Sequence, residues 1–428
     1  MIDLRRHGFF VKLFSSAILM QALLSGANLI VGMLLIRHTS NAQYGYYVLI
    51  SVAVILLTSI QTAYIQPSMV VKLTKASDNP EERRSFIGGL YRDQRSLLPI
   101  LAVISVGGAL IAWLLKLIDT TLLWVVVAGS CAVVANLFRE FFRMVLLAYR
   151  RPNDVVRGDA IYVVILIAGA IIAIQLPFPA AATAASLALA AIAGGAYQKR
   201  SMIANEPWNP RSERGALRSI YSAGVWAVAG AAIHWSFTQG YNYIVAGMLS
   251  VNDVAAIAAT RILMMPVNLV SAGVSTFMFP TVAGWLKENR VPVVLKRVYL
   301  LTAGLVAVAL CYLLLLWLLR DWIFNTILKK HFEHRDVLLM LWSGICIAMV
   351  MRDHLAYTLI AHARFRRLSA MAAVSAVIAI STSIVAMHHL GQPGALIGIL
   401  IGESLSVIGI FIMALRDARL ISPVAASA

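Results

Sequence analysis

The run LFSSAILMQALLSGANLIVGMLLI, from Leu13 to Ile36, holds no charged residue over 24 positions. As a helix it reaches about 36 Å at about 1.5 Å per residue. That exceeds the roughly 30 Å hydrocarbon core of a bilayer. It is also too long for the apolar segment of a cleavable signal peptide. Arg5, Arg6 and Lys12 precede it and Arg37 follows, as befits the flanks of a spanning helix.

Working outward, the same pattern recurs. The uncharged stretch from Ala160 to Gln198 is divided by Pro177 and Pro179 into two spans. The uncharged stretch from Ser219 to Asn252 reads as one long helix, ended by a turn at Asn252-Asp253. Spans fall near 13–36, 46–70, 96–117, 121–148, 158–176 and 180–197, then near 218–249, 254–280, 298–319, 337–361, 369–388 and 395–415. The predicted fold is all-α and polytopic, with twelve transmembrane helices. An N-terminal six-helix bundle takes 1–200, a basic cytoplasmic linker 201–217, and a C-terminal six-helix bundle 218–428.

Composition agrees. Of 428 residues 60% are hydrophobic and only 13% charged, where a soluble domain carries about 25% charged residues. This excludes a soluble enzyme, a disordered chain and a disulfide scaffold. The net charge of +17 does not form a basic face for nucleic acid but sits in short loops. Cys131, Cys311 and Cys346 lie apart within apolar runs, without zinc or redox spacing.

The basic residues set an expected orientation. With the N-terminus inside, 26 of the 36 lysines and arginines fall on cytoplasmic segments, six on outer segments (Arg37, Lys116, Arg320, Lys329, Lys330, Arg335), and four within spans. Both termini are therefore expected in the cytoplasm. Trp113, Trp124, Trp317, Trp322 and Trp342 fall at outer span ends, as an interfacial belt does.

The halves repeat one another in order. Gly26-Ala27-Asn28 answers Gly240-Tyr241-Asn242, Gln66-Pro67 answers Phe279-Pro280, and Trp113 to Lys116 answers Trp317 to Arg320. Arg139-Glu140 answers Arg352-Asp353 at an offset of 213, with Ala148 and Ala361 at the same offset. Six spans per half relate the halves by an axis along the membrane normal, and such repeats build transporters.

Charged residues within spans are costly and point to function. The candidates are Arg139, Glu140 and Arg143 on span 4, Arg261 on span 8, Arg352 and Asp353 on span 10, and Glu403 on span 12. Glu140 and Arg143 pair at i,i+3, which leaves Arg139 a cation facing a cavity. Four arginines against three acids favour an anionic head group, and guanidinium grips phosphate bidentately. The opposing reading makes Arg139–Glu140 and Arg352–Asp353 neutralising pairs that lock helices, or lets the arginines snorkel. Glu403 and Asp353 are candidates for ion coupling. Asn28, Asn242 and Trp235 are candidate sugar contacts, against the commoner uses of such residues in interhelical bonding and packing. The aromatic cluster on span 7, with Trp226, His234, Tyr241 and Tyr243, is read chiefly as packing, and His388 and His389 as facing water. No glycine-rich phosphate cradle occurs in the inner loops, and the outer loop 320–336 is too short for a catalytic domain. Phe324 to Phe332 within that loop is a candidate interfacial helix.

Three motifs carry a family resemblance. Leu34-Leu35-Ile36-Arg37 followed by Gln43-Tyr44-Gly45-Tyr46-Tyr47 resembles the first signature of the polysaccharide transporter (Wzx-like) family, where an arginine precedes an aromatic-glycine turn. Asn252-Asp253-Val254 through Arg261 to Phe279-Pro280 resembles its span 7–8 region, and Gly391-Gln392-Pro393-Gly394-Ala395 through Glu403 its last hairpin. The family belongs to the multidrug/oligosaccharidyl-lipid/polysaccharide (MOP) exporter superfamily.

The resemblance implies two six-helix bundles in a V and a cationic cavity. It implies a bacterial inner-membrane flippase moving polyprenyl-diphosphate-linked oligosaccharides for O-antigen, capsule or exopolysaccharide assembly. Arg139 and Arg352 would meet the diphosphate, joined by Arg37, Arg143 and Arg261. No cofactor is implied beyond a proton or sodium gradient. The expected partners are the lipid-linked substrate, membrane lipids, a polysaccharide polymerase and a chain-length regulator, but no nucleic acid. The alternatives are a MATE-like small-molecule/ion antiporter and a membrane polysaccharide polymerase. Against the major facilitator fold stands Asp78-Asn79-Pro80-Glu81-Glu82-Arg83-Arg84, which lacks that fold's loop pattern between spans 2 and 3.

Overall fold

The computed structural model describes residues 4–76, 79–206, 208, 212, 214–288, 291–361 and 365–421. Arg211, Arg290 and Arg364, counted above on inner segments, and Asp78 of the loop between spans 2 and 3 lie outside them. The described residues are all-helical, in two compact units, Met1–Ala232 and Ile233–Ala428.

The first unit contains α1 (Leu4–His38), α2 (Asn41–Lys75), α3 (Pro80–Leu114), α4 (Thr120–Ala148), α5 (Pro152–Ala173) and α6 (Pro179–Asn205). Their boundaries follow from local chemistry. Ser40, Asn79 and Asp119 cap α2, α3 and α4 by accepting backbone N–H bonds from Gln43, Glu82 and Leu122. Pro80, Pro152 and Pro179 occupy first-turn positions, where a missing N–H costs nothing. Tyr44-Gly45-Tyr46-Tyr47, expected as a turn, instead lies within α2, because the Ser40 cap starts the helix at Asn41. Several helices run beyond their apolar cores. α3 begins sixteen residues before the span predicted from 96.

The second unit takes up α7 (Tyr221–Thr238), which the division cuts, then α8 (Tyr241–Met248), α9 (Val251–Ile262), α10 (Met265–Glu288) and α11 (Val291–Leu318). A short α12 (Arg320–Trp322) and a π-helical turn (Ile323–Leu328) follow α11, and then come α13 (Arg335–Ala361), α14 (Phe365–Leu390) and α15 (Gln392–Ile421). The stretch 219–252, expected as one helix, is broken. Its backbone interrupts at Gln239-Gly240 and again at Leu249-Ser250, where Ser250 caps α9. α9 and α10 form a second broken element, bent by 56°.

Ten described helices are long and apolar enough to cross a membrane, or eleven with the bent pair as one span. Large apolar side chains face outward, among them Val103 at 70% and Leu300 at 73% exposed. Such continuous apolar surface has lipid as its solvent, and the chain is a multi-pass membrane protein.

Gly215, Leu217 and Gly224, which lead into and begin α7, pack onto the first unit. Asp93 accepts N–H bonds from Gly215 and Leu217, and Tyr64 donates to the Leu217 carbonyl. A side chain at Gly224 would collide with the Tyr64 ring.

Candidate functional site

In the first unit, three closely packed helices assemble a charge cluster. α6 approaches α4 and α5 on Gly194 and Gly195, where an added Cβ would lie 2.8 Å from the Gly158 carbonyl oxygen and from the Phe138 ring respectively. That proximity places Asp159 of α5, fully buried, against Arg139 of α4 at 2.7 Å. The Arg139 guanidinium also stacks 3.9 Å from the Tyr162 ring centroid. Asp159 holds Arg143 at 3.3 Å through its second oxygen, and Gln198 of α6 donates to it at 3.3 Å. Glu140 pairs with Arg143 at 3.2 Å. The i,i+3 pair is present, yet it does not leave Arg139 facing a cavity. Asp159, which was not among the predicted site residues, takes that arginine from the neighbouring helix. Two guanidinium groups meet two carboxylates, so the cluster is neutral.

In the second unit the close contact is between α14 and α15. Gly394, Gly398 and Gly402 recur every fourth residue on α15, and an added Cβ at each would strike α14. Glu403, beside Gly402 and 2% exposed, accepts two bonds from Arg352 Nη1 of α13 at 2.6 and 2.7 Å. Asp353 takes the Nε and Nη2 of the same guanidinium at 2.9 and 2.8 Å. The cluster borders a cavity of about 200 Å³ lined by His234, Phe237, Arg352, Asp353, Met371 and Ser406. Here two acids face one arginine. The excess of cations expected from sequence is therefore absent at both clusters.

Arg261 differs. Its Nη1 donates to Gln239 Oε1 at 2.8 Å and to the Tyr241 hydroxyl at 3.1 Å, and its guanidinium lies 5.3 Å from the Trp342 ring centroid. Among the described residues no carboxylate pairs with it. It closes α9 beside the bend into α10, and its partner Gln239 marks the break between α7 and α8. Arg261 lies ten residues into α9 from Val251, about 15 Å along the helix axis. Paired broken helices near the midplane are the usual setting of transporter sites.

The remaining candidates scatter. Arg37 is exposed at the end of α1, and Asn28 is exposed on the same helix. Asn242, its repeat counterpart, is buried and donates to the Gln239 carbonyl at 2.9 Å. Trp235 packs on Tyr243, with centroids 6.0 Å apart. His388 and His389 are exposed. The segment between α11 and α13 is helical over 320–328, which covers 324–328 of the expected Phe324–Phe332 helix, while 329–332 is not helical.

No protein-family model matches the sequence, and no curated protein matches it. Solved structures do. The inward-facing conformation of a multidrug resistance MATE family transporter of the MOP superfamily superposes with a TM-score of 0.68 at 13% identity, over 94% of this chain and 96% of that one. A MATE in complex with MaL6 gives 0.65 at 12% identity, over 97% of each chain. The outward-facing conformation of a MATE transporter gives 0.61 at 13%, over 97% and 96%. The fold is that of the MATE transporters.

Within this MATE-type fold, sequence reasoning missed Asp159, Gln198 and Gln239. Asp159 had a readable signal. Pro152 is a helix-start residue, so Asp159 lies two turns inside α5, not at its edge. Gln198 and Gln239 carry no charge, and only the fold brings them to their partners.

Proposed function

We propose that this chain is a flippase for polyprenyl-diphosphate-linked oligosaccharides, built on the MATE-type transporter fold. The observation that carries this reading is Arg261. It is a guanidinium beside two helix breaks, and among the described residues it is held by neutral acceptors and no carboxylate. A diphosphate arriving there displaces an amide oxygen and a phenol, and separates no ion pair. Charge-assisted bonds to the phosphate replace neutral-acceptor ones and are the stronger. The signature residues around Arg37, Asn252-Asp253 and Glu403 support the same family of substrates.

The other charges take different roles. Arg139 and Arg143, neutralised by Asp159 and Glu140, hold α4, α5 and α6 together. Arg352 is bound by Glu403 and Asp353, and releasing it to an anion requires those acids to gain a proton or a sodium ion. That exchange would couple flipping to an ion gradient. Asn28, Asn242 and Trp235 remain proposed sugar contacts, and a polymerase and chain-length regulator the proposed partners, at the bacterial inner membrane.

A second reading, a MATE-like antiporter of organic cations, is favoured by the acid excess around Arg352. Transport by purified Arg261→Ala in vesicles separates the two. A flippase loses about 10- to 100-fold of its rate, the value of one or two charge-assisted bonds, and Arg261→Lys recovers part. Full lipid-linked glycan transport by folded Arg261→Ala would sink the assignment. Antiport of organic cations would establish the rival.

A further inference from the structure

A groove of the first unit, about 750 Å³, shares no lining residue with the charge clusters described above. It opens between the inner end of α2, the start of α3 and the turn that begins α7. Apolar Pro67, Val71, Phe86 and Ile220 line it together with Lys72, Lys75, Ser68, Ser85, Ser219 and Ser222. Lys72 Nζ donates to Ser219 Oγ at 2.8 Å and sits 4.6 Å from the Phe86 ring centroid. Among the described residues neither Lys72 nor Lys75 enters an ion pair. Glu82 is the acid on the rim, and Arg83 beside it is held by Glu206 at 3.2 Å.

We propose that this groove binds one anionic glycerophospholipid, its phosphate on Lys72, Lys75 and the Ser219 and Ser222 hydroxyls and its acyl chains along Val71, Phe86 and Ile220. Three features fit that occupant. The lining combines cationic and apolar groups, as a lipid combines an anionic head group and acyl chains. Among the described residues the two ammonium groups enter no ion pair, and basic pockets of this kind between spanning helices take acidic lipid head groups. The last turn of α2, which supplies them, is on the face expected to meet the cytoplasmic leaflet, where anionic lipids attract such residues. A bound phosphate would bridge α2 to Ser219 and Ser222, and so fix the segment that leads into α7. The site is independent of the transported substrate.

The test uses the purified full chain in detergent, with thermal unfolding and native mass spectrometry as readouts. Phosphatidylglycerol should raise the melting temperature and remain bound in the mass spectrum, and phosphatidylcholine of the same chains should do neither. Lys75→Gln should weaken phosphatidylglycerol binding about fivefold, and Lys72→Gln with Lys75→Gln about 25-fold. Lys296→Gln, an exposed basic residue of the second unit, should change nothing. Equal retention of both lipids, or unchanged affinity in the single and double variants, would overturn the proposal. Inorganic phosphate reproducing the whole shift would also overturn it, since that marks a water-phase anion site.

Discussion

Asp159 and Arg139 form the most deeply buried ion pair of the first unit, with side chains 0% and 6% exposed. Removing one member of such a pair leaves an uncompensated charge, at a cost of about 3–5 kcal/mol. Asp159→Ala is therefore expected to lower stability by that order, read as loss of folded protein on heating in detergent. Combining it with Arg139→Leu should recover much of the loss, since a buried pair replaced by apolar groups is often neutral. An additive, unrecovered double variant would show that the two do not act as a pair. The same logic distinguishes Arg261, whose acceptors are neutral. Arg261→Ala should cost little stability and much transport. At this scale the sequence was only partly legible. Arg139, Arg143 and Arg352 announce themselves as charges inside apolar runs, and the i,i+3 bond from Glu140 follows from helix geometry. The bonds from Asp159 and Glu403 link separate helices, which no local spacing encodes.

Helix edges are governed by caps and by close approach. Gly402 of α15 faces Ala379, Phe237 and the Ser375 carbonyl, and an added Cβ would lie 2.6 Å from the Ala379 methyl and 3.0 Å from that carbonyl oxygen. Gly402→Leu should push α14 from α15 and displace Glu403 from Arg352, at about 1–3 kcal/mol from overpacking. The melting temperature of the purified variant reads that cost. An unchanged melting temperature would contradict the close packing. Pro179 marked the start of α6 in advance, whereas α3 and α5 begin at Pro80 and Pro152, before the spans expected from 96 and 158. The break at Gln239-Gly240 was not readable. It contains no proline, and a lone glycine is tolerated within helices at about 1 kcal/mol. Tertiary contacts, among them the Gln239 bond to Arg261, accompany it.

For the whole molecule, hydropathy was the most legible feature, because the bilayer constrains every span in the same way. The all-helical fold of the described residues and its likeness to MATE transporter structures agree with that reading. What the chain carries was less legible. The count of buried charges misleads until their partners are known, and the partners balance most of the arginines. Orientation gives a direct prediction from the basic residues. In a background lacking the native cysteines, Lys330→Cys should react with a membrane-impermeant thiol reagent from outside intact cells, and Asn205→Cys only after permeabilisation. The reverse pattern would invert the topology and move the basic groove to the outer leaflet.

The measurement that bears most directly on the flippase assignment is the leaflet distribution of lipid-linked glycans in cells lacking this chain. Complete polyprenyl-diphosphate oligosaccharides should accumulate on the cytoplasmic leaflet while surface polymer is lost, and wild-type but not Arg261→Ala protein should restore both. Normal glycans and surface polymer in those cells, with no second flippase present, would contradict the assignment.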